Sequence, residues 1–160
     1  METEDFDRFV GGLDYPMLVV TVGKDGERSG CLVGFASQCS IDPPRMLVCL
    51  SKANRTYRLA RDAGLLAVHS LAADQHDLAE LFGGATDDEL DKFARCEWSE
   101  GPGGTALLAT PRRFVGRVLA RRDLGDHVGF LLEPVSAERL DDRPPLTLRM
   151  VTDIDPGHPA

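Results

Sequence analysis

Apolar and polar positions alternate along the chain in short runs, and most runs have the length and residue types of strands. Pro16 to Gly23, PMLVVTVG, is rich in β-branched residues, and Lys24-Asp25-Gly26-Glu27 supplies a tight turn into a second run from Arg28 to Ala36. Together they predict an opening hairpin. Gly30 and Gly34 in its second strand permit either a barrel bend or the close approach of a planar group. Arg45 to Ser51, RMLVCLS, holds five consecutive apolar residues and suits a strand buried on both faces. Before it, Asp42-Pro43-Pro44 removes two amide donors and predicts a stiff, extended corner. After it, Ser51 to Asn54 offers side-chain oxygens at a helix start, and Thr56, Leu59, Ala60 and Ala63 recur at helical spacing until Gly64.

Leu65 to Leu71 reads as a further strand, on which His69 is expected to be a hydrogen-bonded structural residue rather than an acid or base. Asp74 is placed to cap a short helix bearing Leu78, Leu81 and Phe82, ended by Gly83-Gly84. Thr86-Asp87-Asp88-Glu89 has the form of a capping box opening a helix with Leu90 and Phe93. Trp98, Ser99 and the GPGG stretch at 101–104 form a loop of lid length. Pro111 to Arg122 carries five arginines and no acid; as a strand it puts Arg113, Arg117 and Arg121 on one face and Phe114 and Val118 on the other. The arginine face would bind dinucleotide phosphates or pair with acidic neighbours. Val128 to Leu132 is a last long strand, with a short edge piece near 143–148.

Many strands, few short helices, no GxGxxG after a strand and no repeat favour a mainly β fold with short helices, a β-barrel with helical insertions, over a dinucleotide-binding α/β sheet. A length of 160 residues fits one domain over 1–160, with 1–12 and 153–160 expected as flexible tails.

Charge narrows the partners. A formal net charge of −8 argues against broad attraction to nucleic acid or to anionic membranes. The acidic start lacks the order of a secretory signal and no run is long enough to span a bilayer, so a cytoplasmic location is expected. Cys31, Cys39, Cys49 and Cys96 show no CxxC spacing, and Cys39 and Cys49 are expected as buried, reduced thiols. His69, His76, His127 and His158 give no metal-ligand spacing, so no metal site is assigned. No nucleophile, base and orienting acid fall in a convincing order either, which argues against a hydrolase and leaves room for chemistry carried by a cofactor.

One stretch is more specific than the rest. Small and polar residues at 36–40, then Ile41-Asp42-Pro43-Pro44, a hydrophobic strand, Ser51 to Thr56, Leu78-Ala79 with Phe82, Lys92-Phe93 and Gly125-Asp126-His127 resemble, in order, the flavin reductase-like, FMN-binding split-barrel family. The resemblance covers Asp14 to Leu148. It implies a split β-barrel homodimer with FMN or FAD near the subunit interface. It also implies NADH or NADPH as donor and reduced flavin passed to a partner monooxygenase. Ala36, Ser37, Gln38, Cys39 and Ser40 would lie along the flavin ring, and Ser51, Lys52, Asn54 and Thr56 would hold its phosphate and ribityl chain. Phe82 would pack on the ring or a neighbouring subunit, and His127 would contact the nicotinamide. Phe35 and Cys39 depart from the family's usual Ser/Thr-rich run, changing bulk and hydrogen bonding beside the ring. The alternative is a flavin-binding protein that uses a different reductant or has no reductase activity.

Overall fold

The computed structural model describes residues 1–84 and 91–155. Strands β1 (Leu18–Lys24) and β2 (Glu27–Val33) form the opening hairpin, closed where Lys24 faces Glu27. Both turn residues, Asp25 and Gly26, have positive φ, the backbone that a twisted two-residue hairpin needs. Strands β3 (Ala36–Ser40), β4 (Arg45–Ser51) and β5 (Leu65–Ser70) follow, then a small hairpin of β6 (Trp98–Glu100) and β7 (Ala106–Leu108). The long pair β8 (Arg112–Asp123) and β9 (His127–Arg139) completes a seven-stranded antiparallel sheet in the order β2-β1-β5-β8-β9-β4-β3.

The two edges of that sheet, β2 and β3, are consecutive in the chain and separated only by Gly34 and Phe35. Two residues span about 7 Å at most, so the sheet must curl until its edges nearly meet. Bulges in the β8/β9 pairing, at Val115/Gly116 and again around Leu119, supply local bends. The result is a split barrel with an open seam between β2 and β3. Leu18, Val20, Val22, Val48, Leu50, Leu66, Val68, Phe130 and Leu132 fill its interior. A second core lies outside the β1/β2/β5 wall, where Met17, Val19, Leu71, Phe93, Leu108 and Leu146 gather around Phe82.

Helix α2 (Arg55–Ala60) follows β4 and is shorter than the spacing predicts; Asn54 caps it, its Oδ1 accepting from the Thr56 amide at 2.9 Å. Helix α3 (His76–Gly84) carries Ala79 and Phe82 into the second core. Asp74 does not cap it but pairs with Arg143 at 3.1 Å. The capping box at 86–89 lies outside the described residues. The segment expected as an N-terminal tail is instead helix α1 (Thr3–Gly11), none of whose residues is buried. At the other end, 153–155 follow a turn and 156–160 are outside the described residues. Among the described residues no helix is long and apolar enough to cross a membrane.

Several local expectations change. The double-proline corner at 41–44 is the turn between β3 and β4 rather than an extended segment, with the Asp42–Pro43 peptide cis. The GPGG stretch is not a lid: Pro102–Gly104 make a tight 3-10 turn that packs against β1, and Thr21 Oγ1 donates to Ala106 O at 2.7 Å beside it. Cys39 is exposed rather than buried, because the β3/β4 register shifts between Gln38 and Ser40 and leaves it unpaired. The planar groups that Gly30 and Gly34 admit are the protein's own. A Cβ on Gly30 would meet the Phe82 ring at 2.7 Å, and one on Gly34 the Tyr15 ring at 2.7 Å.

His69 is structural, as its apolar surroundings suggest. It is fully buried, with Nδ1 2.9 Å from Val19 O and Nε2 3.0 Å from the Leu108 amide. The carbonyl can only accept and the amide can only donate, so the neutral Nδ1–H tautomer is the one that satisfies both. Burial drives the imidazole pKa from 6.5 down to about 4. The unfolded chain therefore takes up a proton that the folded chain refuses. Stability is full above about pH 6.5, falls as pH drops toward about 4, and loses on the order of 3 kcal/mol over that window. Urea titrations from pH 7 to 4 should show this slope, and His69→Gln, which keeps one donor and one acceptor, should flatten it. Phe82→Ala should cost about 3–5 kcal/mol in the same assay at neutral pH, through the cavity left opposite Gly30 and Phe93.

Candidate functional site

The seam holds a cavity of about 400 Å³. Met17, Leu32, Val33 and Leu50 form an apolar floor, while Ser51, Asn54, Asp126 and His127 line a polar side. Gly34 and Phe35, the two residues that join the sheet edges, sit between them. Register explains the polar side. Ser51 is the last residue of β4 and faces His127, the first of β9. The turn between β8 and β9 is tied to the β4–α2 corner by the Lys52 amide, which donates to Asp126 O at 2.9 Å. Asp123 steadies the same turn by accepting from the Gly125 amide at 3.1 Å.

His127 is mostly buried, its Nδ1 lies 2.7 Å from Asp126 Oδ1, and its ring is 5.0 Å from that of Phe35 at a tilt of 52°. The hydrogen bond with His127 holds the Asp126 carboxyl below its ordinary range. An imidazole engaged at Nδ1 has its Nε2 left as the nitrogen for a guest. Phe35 is half exposed and shields one side of that ring. Burial raises the Cys49 thiol, which lines the same cavity, so it is a poor nucleophile there.

One ammonium serves the corner. Lys52 Nζ is 2.9 Å from Asp123 Oδ2, and that contact lowers the Asp123 pKa. Ser51 Oγ accepts from the Ala53 amide at 3.2 Å, bracing the bend into α2.

Of the residues singled out from the sequence, the structure brings Ser51, Asn54 and His127 to one cavity wall, with Lys52 at the adjoining corner. It does not bring Thr56 or Phe82 there. Thr56 is fully buried with its hydroxyl 2.8 Å from Ser29 Oγ, and Phe82 stacks edge-on against Phe93 in the second core. Residues 36–40 form the edge strand β3, paired with β4 on one side only. Ser37 Oγ donates to Gln38 O and Gln38 Nε2 to Ser40 O. The cavity wall ends at Phe35, one residue before Ala36.

The arginine face of β8 is engaged within the chain, although the Nε atoms of Arg113 and Arg121 are buried without a hydrogen-bond partner. Arg113 reaches Leu108 O and Glu138, Arg117 reaches Glu133 at 2.8 Å, and Arg121 donates to the carbonyls of Ala60 and Ala63 at the end of α2. Tyr15, Met17 and Leu32 carried no sequence signal as site residues, and Asp126 stood in the Gly125-Asp126-His127 motif without a role of its own.

The family model of the flavin reductase like domain matches residues 10–151. An FMN reductase (NADH), RutF, of Stutzerimonas stutzeri is 29% identical over 139 residues, covering 86% of this chain and 79% of its own. The reductase subunit HsaB of a flavin-dependent monooxygenase from Rhodococcus jostii is 33% identical over 134 residues, covering 79% of this chain and 67% of its own. The solved NADH:FAD oxidoreductase SgcE6 of Streptomyces globisporus superposes with a TM-score of 0.83 at 26% identity, covering 92% of this chain and 90% of that one. A match that runs from the last turn of α1 through the seam to the far side of the second core puts this chain in the flavin reductase-like family.

Proposed function

We propose that the protein is an NAD(P)H-dependent flavin reductase that takes FMN or FAD at the seam and passes the reduced flavin to a partner monooxygenase. The observation that carries this reading is the seam cavity itself, apolar along its floor and polar at Ser51, Asn54 and His127, in a chain of this family. A flat ring with one polar edge and a phosphorylated tail matches that division. The flavin supplies the chemistry when bound, accepting a hydride from the reduced nicotinamide. The protein binds, orients and excludes water. The floor takes the ring, the corner of Ser51, Lys52 and Asn54 takes the phosphate and ribityl chain, and β3 borders the outer edge. His127 meets the nicotinamide side, oriented by Asp126.

Phosphate recognition here is modest by construction. The Lys52 ammonium is shared with Asp123, and Asp126 adds a second carboxylate to the same turn. That favours flavin as a diffusible substrate over a tightly held prosthetic group. The reading also makes the chain a single working domain, since both cores are built on one sheet, and a homodimer. Four free cysteines suit the reducing cytoplasm.

Mixing the protein with NADH and FMN should consume nicotinamide well above the protein-free rate; equal rates would sink the proposal. His127→Ala should lower kcat/KM for NADH by about 10- to 100-fold, the scale of losing a hydrogen bond to a charged or polarised group, with less than about a threefold change in flavin Kd. Asp123→Asn frees the Lys52 ammonium and should tighten FMN binding about two- to fivefold at low ionic strength, read by flavin fluorescence. The gain should vanish near molar salt.

A further inference from the structure

Three rings line the seam cavity: Tyr15, Phe35 and His127. His127 is tied to Asp126 and tilts against Phe35. Tyr15 is rooted elsewhere, and its backbone is pinned on both sides. Its amide donates to Asp14 Oδ1 at 3.1 Å, its carbonyl accepts from the Leu148 amide at 2.9 Å, and Pro16 bridges to Thr147. The hydroxyl end of its ring lies over Gly34. A Cβ at 34 would meet Tyr15 Cε2 at 2.7 Å and Cζ at 3.5 Å, with Met17 Sδ also at 3.5 Å. The lack of a side chain at 34 is therefore what lets the phenol reach the link between the sheet edges.

The hydroxyl itself makes no hydrogen bond among the described residues. Asp14, its neighbour in the chain, is occupied by the amides of Tyr15 and Arg149. Burial, with the Asp14 charge behind it, raises the phenol above its ordinary pKa, so it keeps its proton at neutral pH and can donate. A tyrosine set part-way into a wall normally finds a partner for its polar tip. Here the adjoining floor is Met17, Leu32 and Val33, whose side chains offer no oxygen or nitrogen. The phenol is thus a hydroxyl on an otherwise apolar floor.

We infer that Tyr15 is a binding residue for the flavin ring itself, its hydroxyl donating to a polar atom on the edge of the isoalloxazine. The floor is where the proposed function seats that ring, and the inference rests on that reading. The corner of Ser51, Lys52 and Asn54, assigned to the phosphate and ribityl chain, is a different part of the wall. Tyr15 therefore supplies a contact that is independent of the flavin's tail. One neutral hydrogen bond of this kind is worth about three- to tenfold in affinity.

Fluorescence titrations of the full chain with FMN, and with lumiflavin, which has the ring but neither ribityl chain nor phosphate, test it. Tyr15→Phe keeps the ring over Gly34 and removes only the hydroxyl, so Tm should stay near wild type. Kd should rise about three- to tenfold, by the same factor for both ligands, with KM for NADH changed less than about twofold.

A loss for FMN alone would put the hydroxyl on the tail, and a rise confined to KM for NADH would put it on the nicotinamide; either overturns the inference. So does a fall in Tm alongside the loss, which would make the effect structural, or a wild type that binds FMN but has no affinity for lumiflavin. Unchanged Kd values in a wild type that binds both flavins overturn it as well and leave the reductase reading standing. A wild type that binds neither flavin sinks both.

Discussion

Everything in this molecule follows from the shortness of one connection. The strands at the two edges of the seven-stranded sheet are joined by Gly34 and Phe35 alone, so the sheet has no option but to roll up. It cannot close, because β3 is short, bulged at Cys39 and bonded to β4 on one side only. An edge left open in this way is normally a liability, offering unpaired backbone groups to any passing strand. On its paired side the β3/β4 ladder runs one step further, the Cys49 amide donating to Phe35 O at 2.9 Å, which fixes the connecting residue against β4. The seam is therefore a slot with apolar strand faces for its floor and the ends of β4 and β9 for its polar side. A slot of that kind would suit the flat, partly polar ring proposed for it.

The position of the polar groups is a matter of register. Pairing of Ser51 with His127 puts a hydroxyl and an imidazole side by side, and the bond from the Lys52 amide to Asp126 O locks the β8–β9 turn to the corner before α2. A one-residue slip would send each side chain to the opposite face. The long β8–β9 ladder resists that slip, and its arginines contribute by closing against Glu133, Glu138 and the carbonyl end of α2. Basic charge that stands out in an acidic sequence is thus consumed in holding the barrel, and little of it is left for a guest.

The strands and the opening hairpin were legible because their apolar runs and turn residues are local signals. His69 was legible for a similar reason, since an imidazole on an apolar strand has to find partners. What the sequence could not show is long-range. Thr56 looks like any hydroxyl after a helix cap until Ser29, twenty-seven residues earlier, is found against it in the interior. Phe82 is a plausible stacking ring until Gly30 is found making room for it on the outside of the barrel. Residues 36–40 are too small and polar to announce a strand, and their pairing is supplied by β4. The lining contributed by Tyr15, Met17 and Leu32 depends on how the sheet rolls, which no window of sequence contains. Helix α1 escaped notice for the opposite reason: its acidic residues read as a solvated tail, and the face that would have revealed it has nothing in its own chain to cover.

The corner of Ser51, Lys52 and Asn54, proposed to take the phosphate, is loosely furnished. A reductase that feeds a separate enzyme must let go of its product, and tight cradling of the phosphate would oppose release. In the proposed site Asp123 competes for Lys52, so the free energy of holding flavin would fall largely on the apolar slot between β2 and β4. A slot between strands is only as stiff as the barrel behind it. The interior core from Leu18 to Leu132 supplies that stiffness on one side of the wall, and the cluster around Phe82 supplies it on the other. Packing on both faces of β1 and β2 is therefore what lets a seam with few polar anchors keep a defined shape.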